Sequence, residues 1–228
     1  MRLQGIFALA ALCGLLFGCA STMNKVAAEA PINWSAEKGK KVLLIDPDVE
    51  LSELTAGGVT EPRADWTATG KGFIKSDIGS TLTGKGIDTV PVDAVTDPHE
   101  VQLVKLHGAV GIAILQNAMI NLPTKGKTLD WTLGPGVTAL RDHYNGDYAL
   151  FVYVRDSYST AGRAAIILLG AIAGIGIQGG TQVGFASLVD LRTGKIVWFN
   201  RLISSTGSLK EDKPAAATVQ NLLAGLPL

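Results

Sequence analysis

Apolar and polar positions along the chain change period several times, and each change marks an element. Lys41-Val42-Leu43-Leu44-Ile45-Asp46 is a short apolar run stopped by Pro47, which predicts a buried strand. Val49 and Leu51 alternate with Asp48, Glu50 and Ser52, which predicts a half-exposed strand. From Ala64 to Leu82 the period lengthens: Trp66, Gly70, Ile74, Ile78 and Leu82 recur every fourth residue, forming one helix face that Gly84-Lys85-Gly86 ends. Thr89 to Val92 reads as a short edge strand, because Pro91 cannot donate to a ladder. Asp97-Pro98-His99-Glu100 is a helix start in which Asp97 caps and Glu100 reaches back to close a capping box. Val101, Val104, His107 or Gly108, Gly111 and Leu115 continue that helix.

Leu122 to Trp131 is a polar connection, and Pro135 to Tyr144 a short helix ended by Asn145-Gly146. Tyr148 to Val154, aromatic and branched, predicts a central strand. Gln182 to Leu191 and Ile196 to Ile203 flank Arg192-Thr193-Gly194-Lys195, where Gly194 supplies the positive φ of a hairpin turn. Lys213 to Leu226 predicts a closing helix. The fold class is α/β (α+β): a mixed sheet with helices packed on it and a carboxy-terminal β-hairpin.

The amino terminus has a different character. Residues 1–18, MRLQGIFALAALCGLLFG, place Arg2 before an apolar run from Ile6 to Phe17. Twelve helical residues rise about 18 Å, short of the roughly 30 Å of a hydrocarbon core, so this is a signal-peptide core rather than a span. Leu16-Phe17-Gly18-Cys19 resembles the bacterial lipobox. That resemblance implies cleavage before Cys19, a diacylglycerol thioether on its sulfur and acylation of the new amine. Ala20 and Ser21, neither of them Asp, imply by the same resemblance sorting to the outer membrane. Residues 20–40 are small and polar, and predict a flexible tether with a reach of about 25 Å that lets residues 41–228 sit clear of the bilayer.

Composition narrows the function. Of 228 residues, 20 are Lys or Arg and 20 are Asp or Glu, so no basic excess invites nucleic acid. The chain has 2 Cys, and cleavage removes Cys13, which leaves no pair for a disulfide. Gly79-Ser80-Thr81-Leu82-Thr83-Gly84-Lys85-Gly86 nearly matches a phosphate-binding loop but has Gly86 where Mg²⁺ needs a hydroxyl, and lies at a helix end. Gly174-Ile175-Gly176-Ile177-Gln178-Gly179 spells a dinucleotide fingerprint with strand-like sequence after it. His99, His107 and His143 have no His or Cys at ligand spacing, so no metal is expected. Arg141-Asp142-His143 lies at a helix end, where charges are ordinary. The inventory predicts no catalytic residues, no cofactor and no enzyme.

Val42 to Asp46, Gly146-Asp147-Tyr148-Ala149-Leu150, and Leu188 to Trp198 with its Asp190, Thr193-Gly194-Lys195 and Trp198, taken with the lipobox, resemble a superfamily of bacterial envelope lipoproteins. Its members include the curli-secretion channel lipoprotein and the lipoprotein activators of penicillin-binding proteins. The resemblance implies a mixed sheet, no active site and work done by protein contact. Cys19 is the one functional residue it carries over. The expected protein is therefore a lipid-anchored, non-enzymatic outer-membrane lipoprotein on the periplasmic face, in envelope assembly or transport. The alternatives are an oligomeric secretion or pore component and a small-molecule or glycan binder using Trp66, Trp131 or Trp198 for stacking.

One segment stands apart. Residues 164–177, AAIILLGAIAGIGI, carry no charge and no hydrogen-bonding side chain, within a Gly-rich stretch that runs to residue 180. They suit either a buried core element or a membrane or oligomer contact through Ile166, Ile167, Leu168, Leu169, Gly170, Ile172, Gly174, Ile175 and Ile177. Gly170-x-x-x-Gly174 would admit another backbone. Contact with a sister subunit is expected over insertion into lipid, because an isolated strand or hairpin leaves backbone groups unpaired there.

Overall fold

The structure, a computed structural model, describes residues 21–26, 39–93, 95–120, 122–125, 128–205 and 208–227. Its strands are β1 (Ser21–Val26), β2 (Lys41–Ile45), β3 (Asp48–Leu54), β4 (Thr60–Pro62), β5 (Asp88–Val92), β6 (Tyr148–Ser159), β7 (Gln182–Asp190) and β8 (Ile196–Ser204). Its helices are α1 (Ala64–Gly84), α2 (Pro98–Ile120), α3 (Thr138–Tyr144, entered by a 3₁₀ turn), α4 (Ala161–Ile172) and α5 (Asp212–Leu222).

These strands form one mixed sheet in the order β1-β8-β7-β6-β2-β5. β5, β2 and β6 run parallel, whereas β6, β7, β8 and β1 alternate in direction. β2 pairs with Tyr148 to Leu150; beyond Asp46-Pro47 the chain resumes as β3 and pairs with Tyr153 to Ser159 of the same strand. β6 is thus the central strand, as its Phe151-Val152-Tyr153-Val154 core suggests. Pro91 lies on β5, an edge strand that bonds only β2 among the described strands.

Alternation divides neighbouring residues between two cores. Val42, Leu150, Trp198 and Leu202 face α1 and α5, meeting Ile74, Ile78, Val219 and Leu222. Leu43, Phe151, Phe185 and Phe199 face α2 and α3, meeting Ile114, Val137 and Leu140. The four-residue period in α1 buries Gly70, Ile74, Ile78 and Leu82, as expected, and Gly86 ends it with φ +73°. Gly194 takes φ +74° in the β7–β8 turn, where a Cβ would stand 2.2 Å from the Gly134 carbonyl oxygen.

Three expectations need correction. Asp97 does cap α2, its Oδ1 accepting from the amides of His99 (2.8 Å) and Glu100 (3.3 Å). The reciprocal half of the capping box is missing. The buried Glu100 carboxylate accepts from the Tyr144 hydroxyl at 3.0 Å and lies 2.8 Å from His143 Nδ1, and so fastens α2 to α3. The closing helix is also shorter than predicted and ends at Leu222, where Asn200 Nδ2 donates to the carbonyls of Asn221 (2.7 Å) and Leu222 (2.9 Å). Finally, the expected tether is not all tether. Ser21–Val26 pairs antiparallel with β8 from Ser21↔Ile203 to Val26↔Trp198. β8 would otherwise present a long row of unpaired backbone groups, and pairing needs no particular side chains. The signal segment, Cys19 and residues 27–38 lie outside the described residues.

Candidate functional site

α4 and the chain that follows it are an insertion between two paired strands. β6 ends at Ser159 and β7 begins at Gln182, and residues 160–181 leave the sheet and return at one end of it. Thr160 caps the helix, its Oγ1 accepting from the Arg163 amide at 3.1 Å. The other end is a complete Schellman closure: Gly174 at φ +74° donates to the Ala171 carbonyl (3.1 Å), and Ile175 donates to Gly170 (2.7 Å). Every backbone group at that end which the closure can satisfy is satisfied, so the segment is a finished helix rather than half of a hairpin.

The root of the insertion is held tightly. Ser157 and Thr181 exchange three bonds: Ser157 N to Thr181 O (3.0 Å), Ser157 Oγ to Thr181 O (3.1 Å) and Thr181 N to Ser157 Oγ (2.9 Å). Gly180 donates to Ser159 Oγ at 3.0 Å, and a Cβ on Gly180 would fall 2.1 Å from the Ser157 carbonyl oxygen. Arg163 donates from Nε (3.1 Å) and Nη2 (2.7 Å) to the Gln178 carbonyl, and Thr160 N donates to Leu54 O (3.0 Å). Beneath lies a buried polar knot. The Asp156 carboxylate accepts from the Tyr158 hydroxyl, Gln182 Nε2 (2.9 Å) and the Leu209 amide (3.3 Å). Burial raises the Asp156 pKa against the pull of these donors, and burial together with Asp156 raises that of Tyr158.

Within the segment, the sequence-predicted residues separate into two faces. Ile167, Gly170 and Ile177 turn inward. A Cβ on Gly170 would lie 2.6 Å from Ile177 Cδ1, and one on Gly179 would lie 3.4 Å from Ile167 Cδ1. Ile177 and Gly179 of the returning arm therefore pack on the helix's inner side. The expected role of Gly170-x-x-x-Gly174 is corrected accordingly: Ile177 of the same chain fills the space at Gly170, and Gly174 serves the helix end. Ile166, Leu168, Leu169, Ile172, Gly174 and Ile175 remain exposed, with Leu168 at 63%, Leu169 at 65%, Ile172 at 77% and Ile175 at 60%. Each of these four large side chains left in water forgoes on the order of 1–2 kcal/mol of transfer free energy. The core-element reading fails, because Gly170 is the only buried residue of α4.

The remaining motifs fall at a helix end, in the returning arm and in the core. The P-loop-like string closes α1 and the turn after it, and the dinucleotide-like string is the returning arm. No group of three or more metal-ligating side chains occurs among the described residues. His107 is buried and stacked 4.9 Å from Phe151; its Nε2 lies 2.9 Å from Ser187 Oγ, and burial lowers its pKa to about 3. His143 belongs to the Glu100 fastening, and Arg141 and Asp142 lie on the exposed side of α3. Trp198 is fully buried. The ring of Trp66 is covered by Arg63 (4.2 Å) and Lys210 (4.3 Å), and that of Trp131 by Lys125 (4.6 Å).

A cleft of about 220 Å³ opens where β2 stops, between α1 and α2. This is the switch point of the parallel strands, since the chain leaves β2 toward β5 on one side and reaches β6 on the other. Its charges answer one another: Lys71 Nζ bonds Asp46 at 2.6 Å, Lys105 Nζ lies 3.4 Å from Asp48 and Arg155 Nη2 lies 2.8 Å from Asp48. Each charged side chain that lines the cleft thus has an opposite charge beside it.

No protein-family model and no curated protein matches the chain. Solved structures similar to it include two forms of one protein. One is a PelC dodecamer from Paraburkholderia phytofirmans, 14% identical over 92% of this chain and 98% of that one, with a TM-score of 0.45. The other is the dodecamer of a single-residue variant of the same protein, 16% identical over the same shares, with a TM-score of 0.42. A likeness this distant bears on neither function nor assembly.

Proposed function

We propose that the chain is a non-enzymatic lipoprotein of the bacterial outer membrane, anchored through Cys19 on the periplasmic face and working by contact with partners in envelope assembly or transport. The observation that carries this reading is the lipobox-like Leu16-Phe17-Gly18-Cys19 followed at once by a folded sheet. Several acyl chains at about 0.8 kcal/mol per buried CH₂ hold a protein on a bilayer durably. The sheet domain behind them offers extended faces for contact with a partner. Replacing Cys19 with Ser is expected to move the protein from the membrane fraction to the soluble periplasmic fraction. Wild-type protein already soluble in the periplasm would refute the anchor, and crosslinking in living cells would identify the partner.

The exposed α4 favours a second reading, an oligomeric secretion or pore component in which copies meet through Leu168, Leu169, Ile172 and Ile175. Native mass measurement in detergent separates the two, since a strict monomer rules out the second.

A further inference from the structure

The direction of the outermost strand says which end of the domain meets the bilayer. β6 runs toward the end of the sheet from which residues 160–181 project. β7 returns from that end, β8 runs toward it and β1 runs away from it. Ser21, the first residue of β1, pairs with Ile203, and the next residue of β8, Ser204, pairs with Gln182, the residue on which the projection ends. The start of β1 and the root of α4 thus share one edge of the sheet.

Strand spacing of about 4.8 Å puts β1 roughly 10 Å from β7 and 14 Å from β6. Cys19 precedes Ser21 by two residues, which reach at most about 7 Å. A lipid on Cys19 therefore enters its leaflet within roughly 20 Å of the root of α4, and the 25 Å stand-off expected of a tether is lost. The same end exposes Val59, in the β3–β4 turn, and Ile203. Gly162 and Arg163 sit against that turn: a Cβ on Gly162 would lie 3.3 Å from Ala56 Cβ, and one on Gly58 would lie 3.5 Å from Arg163 Nη1.

We infer that α4 lies in the surface of the bilayer that holds Cys19, with Leu168, Leu169, Ile172 and Ile175 in the acyl region, so that the domain is attached at two points and its orientation is fixed. This rests on the anchored reading above. A helix of 12 residues rises about 18 Å, too short to span a bilayer and suited to lying along one leaflet. The objection to lipid contact applied to an isolated strand or hairpin; α4 is a helix capped at both ends. Of the returning arm, whose backbone is irregular, Ile177 and Gly179 lie on the inner side of the helix, beside Gly170 and Ile167.

The test uses the mature full-length chain in vesicles of phosphatidylethanolamine and phosphatidylglycerol, with a nitroxide on Leu168→Cys, Ile172→Cys or, at the opposite end of the sheet, Arg192→Cys. The labels at 168 and 172 are expected to collide with oxygen at least several-fold more often than with a water-soluble nickel chelate, and the label at 192 to show the reverse. Labels at 168 and 172 as open to nickel as the one at 192 would overturn the inference. So would labels shielded from both reagents with dipolar broadening, which would put a second copy on α4. The mass of the amino-terminal peptide from the same sample keeps the two failures apart. An unmodified Cys19 thiol removes the anchor and this inference with it, whereas a lipidated Cys19 beside a nickel-exposed residue 168 removes this inference alone.

Discussion

α2 and α4 are both apolar helices, and the sheet treats them oppositely. Among the described residues, α2 is the one helix long and apolar enough to cross a membrane by length and composition. Yet it lies on the sheet and buries Leu103, His107, Gly108, Gly111, Ile114 and Asn117. α4 has no charge after Arg163 and buries only Gly170. The difference lies in what each helix offers to its neighbours. A Cβ on Gly111 would fall 2.0 Å from Phe185 Cε2, so that ring occupies a notch in α2, while Tyr153 packs at ordinary contact distance over Gly108. The notch of α4, at Gly170, is already filled by Ile177 of its own returning arm. Apolarity measures how much a helix can gain by leaving water. Steric fit decides whether the domain itself provides the place.

Substitutions that reverse this contrast should do so unequally. Ile114→Asp puts an unpaired carboxylate among Phe185, Phe199 and their neighbours, and is expected to cost more than about 4 kcal/mol and unfold the chain, as read from the denaturant midpoint. Acid should come next, through His107. Its folded-state pKa, near 3, is below the ordinary 6.5, so its contribution is complete above pH 6.5 and is lost as pH falls toward 3. A loss on the order of 3 kcal/mol between pH 7 and pH 4 is expected in acid-unfolding curves. The double variant His107→Phe with Ser187→Ala should show a flatter dependence over that window.

Gly111→Ala should cost about 1–3 kcal/mol, because the methyl must push α2 away from Phe185; a melting temperature unchanged from wild type would contradict the notch. The smallest effect is expected at Leu168→Asp. Its side chain already stands in water, so stability should stay within about 0.5 kcal/mol of wild type, and a loss comparable to that of Ile114→Asp would mean that α4 is packed.

Much of this architecture was legible in the residues, for reasons that differ by element. The period of α1, the Asp97 cap and Gly194 between two branched strands are local signals, and local physics honours them. The local spacing assigns Glu100 to a capping box, whereas its partners, His143 and Tyr144, are more than forty residues away, and nothing within four residues announces them. Ser-Thr-Met-Asn-Lys-Val lacks alternation and so predicts tether; the place of β1 is set by the open edge of β8, a property of the folded sheet. The candidate segment was found by composition alone, yet a run without polar side chains looks the same in a core and on a surface. Only the filled notch at Gly170 and the fixed root between Ser157 and Thr181 show that it projects.

Backbone hydrogen exchange reads the contrast between α2 and α4 and the membrane's part in it together. A helix of 12 residues with one buried position is marginal by itself, so in the Cys19→Ser chain in solution the amides of α4 should exchange orders of magnitude faster than those of α2 around Gly111 and Ile114. With the lipidated chain on vesicles, α4 should slow markedly while α2 keeps its rates. Protection in α4 equal to that of α2 before any vesicle is present, or α4 rates unmoved by the bilayer, would contradict the account.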